Sequence, residues 1–164
     1  MVHITNSSYL DLTALFLATG YNYTQFVEKL LNVSGIEVDP RNSYKDTPLM
    51  TASSMGLVEI IKILHAAGAD THAMDSYGFM PIHSAAYYGQ LASVMTLIEL
   101  GEDVNDVSVN FYHFTALHVA AYYGRTDMVE YLVELGADLD LQSDYENTDQ
   151  GHTEIVEILT NASG

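Results

Sequence analysis

The sequence predicts a repeat protein, built as a stack of four or five copies of one unit. The clearest copy spans residues 110–142, and related segments lie on both sides of it. One position can be aligned through all copies, with consecutive matches 33 to 35 residues apart. The aligned residues are Thr13, Thr47, Met80, Thr115 and Thr148. A period held over nearly all of the 164 residues indicates one domain, in which each unit packs on its neighbours.

Each unit repeats further residues at fixed distances from the aligned position. Prolines follow it, histidines lie three residues after it, and small residues and glycines come next. These are Pro48, Pro81, His83, His118, Ala85-Ala86, Ala120-Ala121, Gly56, Gly89, Gly124, Gly68-Ala69-Asp70 and Gly136-Ala137-Asp138. In this pattern the chain resembles the ankyrin repeat, with its Thr-Pro-Leu-His-x-Ala core and period of 33 residues. The resemblance covers nearly the whole chain and implies an all-α solenoid of stacked helix–turn–helix units with short β-turn fingers.

Residues 1–41 form a degenerate first unit, which we expect to cap the stack. Its second half carries Phe26, Val27, Leu30 and Leu31 at helical spacing, and this predicts an apolar stripe that packs on the next unit. Residues 42–74 form the first regular unit. A hydroxyl at Thr47 and the proline after it are typical of a helix start.

Residues 75–109 repeat the pattern with two changes. Met80 replaces the threonine, so we expect this unit to lack a hydroxyl cap. The segment is also two residues longer than a regular unit, and we place the extra residues in the loop between units.

Residues 110–142 carry His113 and Phe114 where the family has a turn glycine and its neighbour. In residues 143–164, about six residues are missing after Thr148, where the core motif of the first helix belongs. We therefore expect a truncated last unit that keeps only its second helix and is the loosest part of the stack.

Composition narrows the classes of partner. The chain has 22 acidic and 5 basic residues, a net charge of -17, so we expect it to bind neither nucleic acid nor an anionic membrane. A basic or amphipathic protein partner is favoured instead. Cysteine is absent, and no signal-peptide pattern or membrane-spanning run occurs, so we expect a cytoplasmic or nuclear protein. We also expect a monomer without cofactors.

Enzymatic activity is not expected. The resemblance implies that His83 and His118 are structural, bonding within their units. His113 and His118 are five residues apart across a turn and a helix start, and this arrangement does not indicate a pair of metal ligands. We therefore predict neither catalytic residues nor a metal site. No phosphate-binding glycine loop or nucleophile-elbow motif is present.

Asn105 has two interpretations. Its surroundings, LIELGEDVN, resemble those of the asparagine that ankyrin repeats offer for hydroxylation. The favoured alternative is an asparagine whose side chain bonds the turn backbone.

Aromatic residues are the feature that stands out from the family background. Tyrosines occur three residues before four of the aligned positions, phenylalanines immediately before two, and tyrosine pairs close two of the first helices. With Asp46, these residues form the predicted binding surface: Tyr44, Tyr77, Tyr112, Tyr145, Phe79, Phe114, Tyr87, Tyr88, Tyr122 and Tyr123. Tyrosine combines a large contact area with a hydroxyl and few rotatable bonds, which favours recognition. The resemblance implies that turn tips and first helices line the concave face of the stack, so we expect a protein-binding scaffold whose concave face is aromatic and acidic. The alternative is a structural, assembly or targeting module of a larger complex without a ligand of its own.

Overall fold

The computed structural model describes residues 13–109 and 113–139 of the chain. Within these residues the chain forms eight α-helices and no β-strand, which confirms the predicted all-α class. The helices are α1 (Ala14–Gly20), α2 (Thr24–Leu31), α3 (Pro48–Ser54), α4 (Val58–Ala66), α5 (Pro81–Tyr87), α6 (Leu91–Glu99), α7 (Ala116–Tyr122) and α8 (Thr126–Glu134). None of these helices combines the length and the apolar character needed to cross a membrane.

The helices pair in chain order, and the pairs stack. α1 packs on α2, α3 on α4, α5 on α6 and α7 on α8. The first helices of the pairs form an inner layer, in which α3 lies between α1 and α5, and α5 contacts α7. The second helices form an outer layer, in which α4 contacts α2 and α6. Each unit therefore contacts mainly its neighbours, as in a solenoid.

The first helices begin where the threonine alignment predicts. The hydroxyls of Thr13, Thr47 and Thr115 each accept a hydrogen bond from the backbone N–H three residues later, at 3.3 to 3.4 Å. Such a bond satisfies an N–H group that has no partner within the helix. At Met80, the predicted loss of the hydroxyl cap is confirmed. The return bond of that turn is present, from the N–H of Met80 to Nδ1 of His83 at 3.3 Å.

Both layers contribute buried side chains to the core. The inner layer packs through Ala52, Ala85 and Ala120, each fully buried. Small residues let the backbones of neighbouring helices approach closely. The outer layer supplies further large aliphatic side chains that are fully buried: Ile60, Ile61, Leu64, Val94, Leu97, Val129 and Leu132. Each contributes about 1.5–3 kcal/mol through the apolar surface that it removes from water.

The turn before each regular first helix has a residue in the left-handed region at its tip. The φ angles are +63° at Lys45, +77° at Gly78 and +48° at His113. Side chains with a Cβ atom are strained at such angles, whereas glycine is not. His113 thus adopts the backbone conformation of the turn glycine that it replaces.

Hydrogen bonds join neighbouring tips across the unit boundaries. The backbone N–H and the hydroxyl of Ser76 donate to the carbonyl oxygen of Tyr44 at 2.8 and 2.7 Å. The tip of the following unit is closed within itself: the N–H of Ser108 donates to the carbonyl oxygen of Phe114 at 2.8 Å, and the Phe114 N–H donates to the Ser108 hydroxyl at 2.9 Å. The bonds from Ser76 therefore fix the spacing between the tips that carry Tyr44 and Tyr77.

One predicted packing surface is wrong in part. Val27 on α2 is fully buried and Leu30 and Leu31 are half-buried, but Phe26 is 61% exposed. The buried residues are spaced i, i+3 and i+4 and share one helix face. Phe26 precedes this set by one residue and lies about a quarter turn away. Its ring contacts that of Tyr23 instead, with centroids 6.0 Å apart.

The truncated last unit, residues 143–164, lies outside the described residues, as do Tyr112, Tyr145 and residues 1–12. The predictions made for them stay predictions.

Candidate functional site

A groove of about 700 Å³ runs between the turn tips and the inner helices. One side is formed by the tip segments and the other by α3, α5, α7 and their C-terminal ends. The groove brings together nine of the residues named in the sequence analysis: Tyr44, Asp46, Tyr77, Phe79, Tyr87, Tyr88, Phe114, Tyr122 and Tyr123. Their proximity is a property of the fold, and their role in binding stays a prediction.

The tyrosines at the rim are the most exposed members of this set. Tyr44 and Tyr77, from consecutive tips, are 55% and 67% exposed, and Tyr88 at the end of α5 is 59% exposed. Side chains this accessible contribute little to the core. They offer apolar ring surface to whatever enters the groove.

The inner wall of the groove contains a continuous cluster of tyrosine rings. Tyr87 meets Tyr88 edge-on with centroids 4.9 Å apart, and it meets Tyr123 of the next unit at 4.6 Å. Tyr122 and Tyr123 repeat the arrangement at 4.9 Å. The pKa of Tyr123 is raised to about 12, mainly by burial and to a smaller extent by a hydrogen bond with Tyr87. Its hydroxyl is therefore protonated at neutral pH. The rings hold one another in place across the boundary between α5 and α7.

Phe79 and Phe114 have a different environment from the rim tyrosines. Both are half-buried and pack against the core, and each stacks on the histidine that follows the aligned position. The ring centroids are 5.7 Å apart for Phe79 and His83 and 5.8 Å apart for Phe114 and His118. The phenylalanines therefore join the binding groove to the core.

His83 is a fully buried structural group. Its Nε2 lies 2.9 Å from the carbonyl oxygen of Phe114 and 3.2 Å from that of Asp106, so this nitrogen donates while Nδ1 accepts from Met80. Burial lowers the pKa of His83 to about 4, and the imidazole is neutral at physiological pH. This position agrees with the structural role that the resemblance implies.

Two carboxylates lie in the groove beneath the rim. Asp46 was predicted, and its Oδ2 accepts a hydrogen bond from the amide of Asn42 at 2.9 Å. Asp75 was not predicted. Its Oδ1 accepts from the N–H groups of Tyr77 and Phe79 at 2.7 and 2.9 Å, while burial raises its pKa. None of the described residues that line the groove is lysine or arginine, so the groove carries negative charge.

The sequence analysis also missed polar residues on the groove side of the inner helices. Thr51 and Ser54 lie four and seven residues after Thr47, and Ser84 lies four residues after Met80. Helix periodicity places residues at these intervals on one face. That spacing, applied to the aligned positions, identifies all three.

Asn105 lies in the loop between units, not in the groove. Its Oδ1 accepts a hydrogen bond from the N–H of Asp138 at 2.8 Å, and its own N–H donates to Oδ1 of Asp103 at 2.9 Å. The side chain thus joins the loops that follow α6 and α8. The geometry is that of the turn-bonding interpretation, and hydroxylation stays a prediction.

A family model described as "Ankyrin repeats (3 copies)" matches residues 2–75 and 56–143. The chain is also similar to parts of three curated proteins. It is 31% identical over 90 residues to glycerophosphocholine phosphodiesterase GDE1 of Candida albicans and 40% identical over 80 residues to gde1 of Schizosaccharomyces pombe. It is 44% identical over 57 residues to a putative ankyrin repeat protein of Rickettsia bellii.

The matches cover 55%, 48% and 34% of this chain, in that order, but only 8%, 7% and 24% of the three proteins. The chain therefore spans a small part of the relatives that it matches.

Proposed function

This chain belongs to the ankyrin-repeat family, and from that premise we propose that it is a protein-binding scaffold whose groove holds a basic or amphipathic segment of a partner protein. Ankyrin repeats are generally protein–protein interaction modules, which supports the broader part of the proposal. The observation that carries the specific part is the row of exposed tyrosines at the rim of an acidic groove.

The aromatic residues would supply most of the binding energy. Interfaces concentrate energy in a few large anchors, and tyrosine is among the most frequent of them. Tyr44 and Tyr77 come from consecutive units, and the hydrogen bonds from Ser76 to Tyr44 fix their spacing. A surface that is ordered before binding loses less conformational entropy when a partner arrives.

The charge of the groove favours a cationic partner. Asp46 and Asp75 lie in the groove close to the rim, and the whole chain carries a net charge of -17. Complementary charge speeds encounter and excludes partners of like sign. The arginine or lysine side chains of a partner would also find tyrosine ring faces, on which cations are stabilised.

We further propose that the scaffold is not an enzyme. The groove offers phenols, hydroxyls and carboxylates that are engaged in turn and ring contacts. The stretches shared with the two phosphodiesterases amount to 8% and 7% of those proteins, so their named activity is not carried over to this chain.

A pair of matched variants tests the groove. The first is Tyr44→Ala with Tyr77→Ala, which removes the two rim tyrosines. The control is Tyr21→Ala with Tyr23→Ala, which removes two tyrosines that are 66% and 55% exposed but lie outside the groove. Proteins captured from a lysate would be quantified on the wild type and on both variants.

We expect a partner whose recovery and measured affinity fall about tenfold or more with the rim variant and remain with the control, each tenfold being about 1.4 kcal/mol. If the rim variant retains the same proteins with the same affinity, the groove is not the binding site. The alternative of a structural or assembly module without a ligand would then be favoured.

A further inference from the structure

Three potential metal ligands converge outside the groove. His72 lies in the loop after α4, and Glu102 and Asp106 lie in the loop after α6, in the next unit. The nearest nitrogen or oxygen atoms of the three side chains all lie within 4.8 Å of one another. Nε2 of His72 is 3.5 Å from Oδ2 of Asp106. The ligand atoms thus come from two loops that are adjacent in the stack.

Glu102 is the unusual member of this cluster. Its side chain is buried, with 8% of the residue exposed, and its Oε2 is buried without a hydrogen-bond partner in the protein. Oδ2 of Asp106 likewise has no hydrogen bond and faces the imidazole. A buried carboxylate oxygen without a hydrogen bond is costly, and a second carboxylate nearby adds repulsion. A cation between them would remove both costs.

The cluster also departs from the repeat pattern of the chain itself. Gly68, Gly101 and Gly136 begin equivalent loops, and the residue after the glycine is a buried alanine in two of them and Glu102 in the third. Five residues after the glycine, Asp106 takes the place of the buried Ala73.

His72 departs from the pattern as well. It occupies the position of Asp39 and Asn105, whose side-chain oxygens each accept a hydrogen bond from the backbone of the next loop, at 3.0 and 2.8 Å. All three changes therefore meet at a single unit boundary.

The supporting contacts hold the ligands in place. The N–H of Asp106 donates to the carbonyl oxygen of Asp103 at 3.1 Å, and its own carbonyl oxygen receives Nε2–H of His83 at 3.2 Å. Nδ1 of His72 lies 3.2 Å from the hydroxyl of Thr71, which leaves Nε2 for a metal. Such outer contacts orient metal ligands in known sites.

We propose that His72, Glu102 and Asp106 bind a divalent transition-metal ion, Zn²⁺ in the first place, and that the ion clips two neighbouring units together. One imidazole and two carboxylates form a ligand set that zinc accepts, with water in the fourth position. Ligand atoms around tetrahedral zinc lie about 3.4 Å apart, given bonds of about 2.1 Å. The ligand atoms of the three side chains, now up to 4.8 Å apart, must therefore move closer together. The side chain of His72 is 58% exposed and has room to rotate towards the two carboxylates. The proposal is independent of what the groove binds.

Zinc titration of the full chain, freed of metal with a chelator, tests this site. Calorimetry at neutral pH and physiological ionic strength would compare the wild type with Glu102→Ala, His72→Asn and the control His65→Asn. The control removes a partly exposed imidazole on α4, away from the cluster. We expect one saturable site that weakens about tenfold or more in the first two variants and is unchanged in the control.

A second readout separates a metal site from diffuse binding to an acidic surface. Zinc should raise the melting temperature of the wild type, because a ligand that binds only the folded state stabilises it. Without metal, Glu102→Ala should itself melt higher than the wild type, and zinc should no longer shift it.

Equal zinc affinity in all four proteins, no saturable site in the wild type, or equal weakening by the control would overturn the proposal. Mg²⁺ prefers all-oxygen ligands and should not reproduce the zinc effect. An equal stabilisation by Mg²⁺ that survives His72→Asn would also overturn it. Because His72 is exposed, its variant decides the matter even if Glu102→Ala fails to fold.

Discussion

The groove face and the outer helix layer use their large side chains in opposite ways. Tyr44, Tyr77 and Tyr88 leave more than half of their surface in water, whereas Leu97 and Leu132 leave none. Truncation of an exposed ring therefore removes a contact for a partner, and truncation of a buried leucine removes part of the core. We therefore expect the groove face to serve binding and the outer helix layer to serve stability.

The largest expected effect tests the outer layer. Leu132→Ala on α8 should lower the free energy of unfolding by about 2–5 kcal/mol, because it leaves a cavity among buried side chains. Urea denaturation measures this loss. Tyr77→Ala is the matched variant on the other face, and it should change stability by less than about 1 kcal/mol. If the two variants are equally destabilising, the rim tyrosine belongs to the core and the separation fails.

A second prediction concerns His83, the buried residue whose ring stacks on Phe79 in the groove. The pKa of its imidazole is about 4 in the folded protein and 6.5 when unperturbed. Between pH 6.5 and pH 4, the imidazole is therefore protonated in the unfolded chain and neutral in the folded chain. Stability should therefore fall as the pH is lowered through this window, by about 2 kcal/mol between pH 7 and pH 5. Urea denaturation at several pH values measures it.

His83→Gln isolates this contribution, and His65→Gln serves as its control. Burial raises the pKa of Asp39 and Asp75, so proton uptake there stabilises the folded state as the pH falls, in the opposite sense. These effects are shared by the wild type and the variants and cancel in the difference. A pH profile of His83→Gln parallel to that of the wild type would show that His83 is not the responsible group.

The third prediction tests the charge of the groove face. Association with a basic partner should slow by up to about tenfold between low and physiological ionic strength, because exposed charges are then screened over about 8 Å. Stopped-flow mixing gives the rate. The stability of the outer layer, which is apolar, should respond much less over the same range. An association rate that does not change with ionic strength would argue against a cationic partner.

The smallest expected effect is at a turn tip. Lys45→Gly should stabilise the fold by about 0.5–1 kcal/mol, because φ is +63° there and glycine adopts this conformation without strain. The reverse change, Gly78→Ala at φ +77° in the next tip, should destabilise by a similar amount. Thermal melts of the two variants should shift in opposite directions. Shifts in the same direction would mean that the tips are not equivalent.

The sequence predicted those structural features that depend on a local pattern repeated in every unit. The aligned threonines identified the helix starts, and the tyrosine register placed Tyr44 and Tyr77 at consecutive tips. It was a poorer guide to features set by the contact between units. The exposure of Phe26 depends on which face of α2 meets its neighbours.

The cluster of His72 with Glu102 joins residues that are about one unit apart in sequence, so no short motif reveals it. A comparison of the glycine-initiated loops shows Glu102 where alanine is expected. It does not by itself show that His72 lies opposite.

The edge-on tyrosine cluster gives this protein an optical signal of its own. The chain has no tryptophan, so its near-ultraviolet absorption and emission come from tyrosine. Rings 4.6 to 4.9 Å apart couple their electronic transitions and exchange excitation energy. A molecule that enters the groove and displaces Tyr88 or Tyr123 would change that coupling. The near-ultraviolet circular dichroism of the unlabelled chain is therefore a direct record of whether the groove is filled.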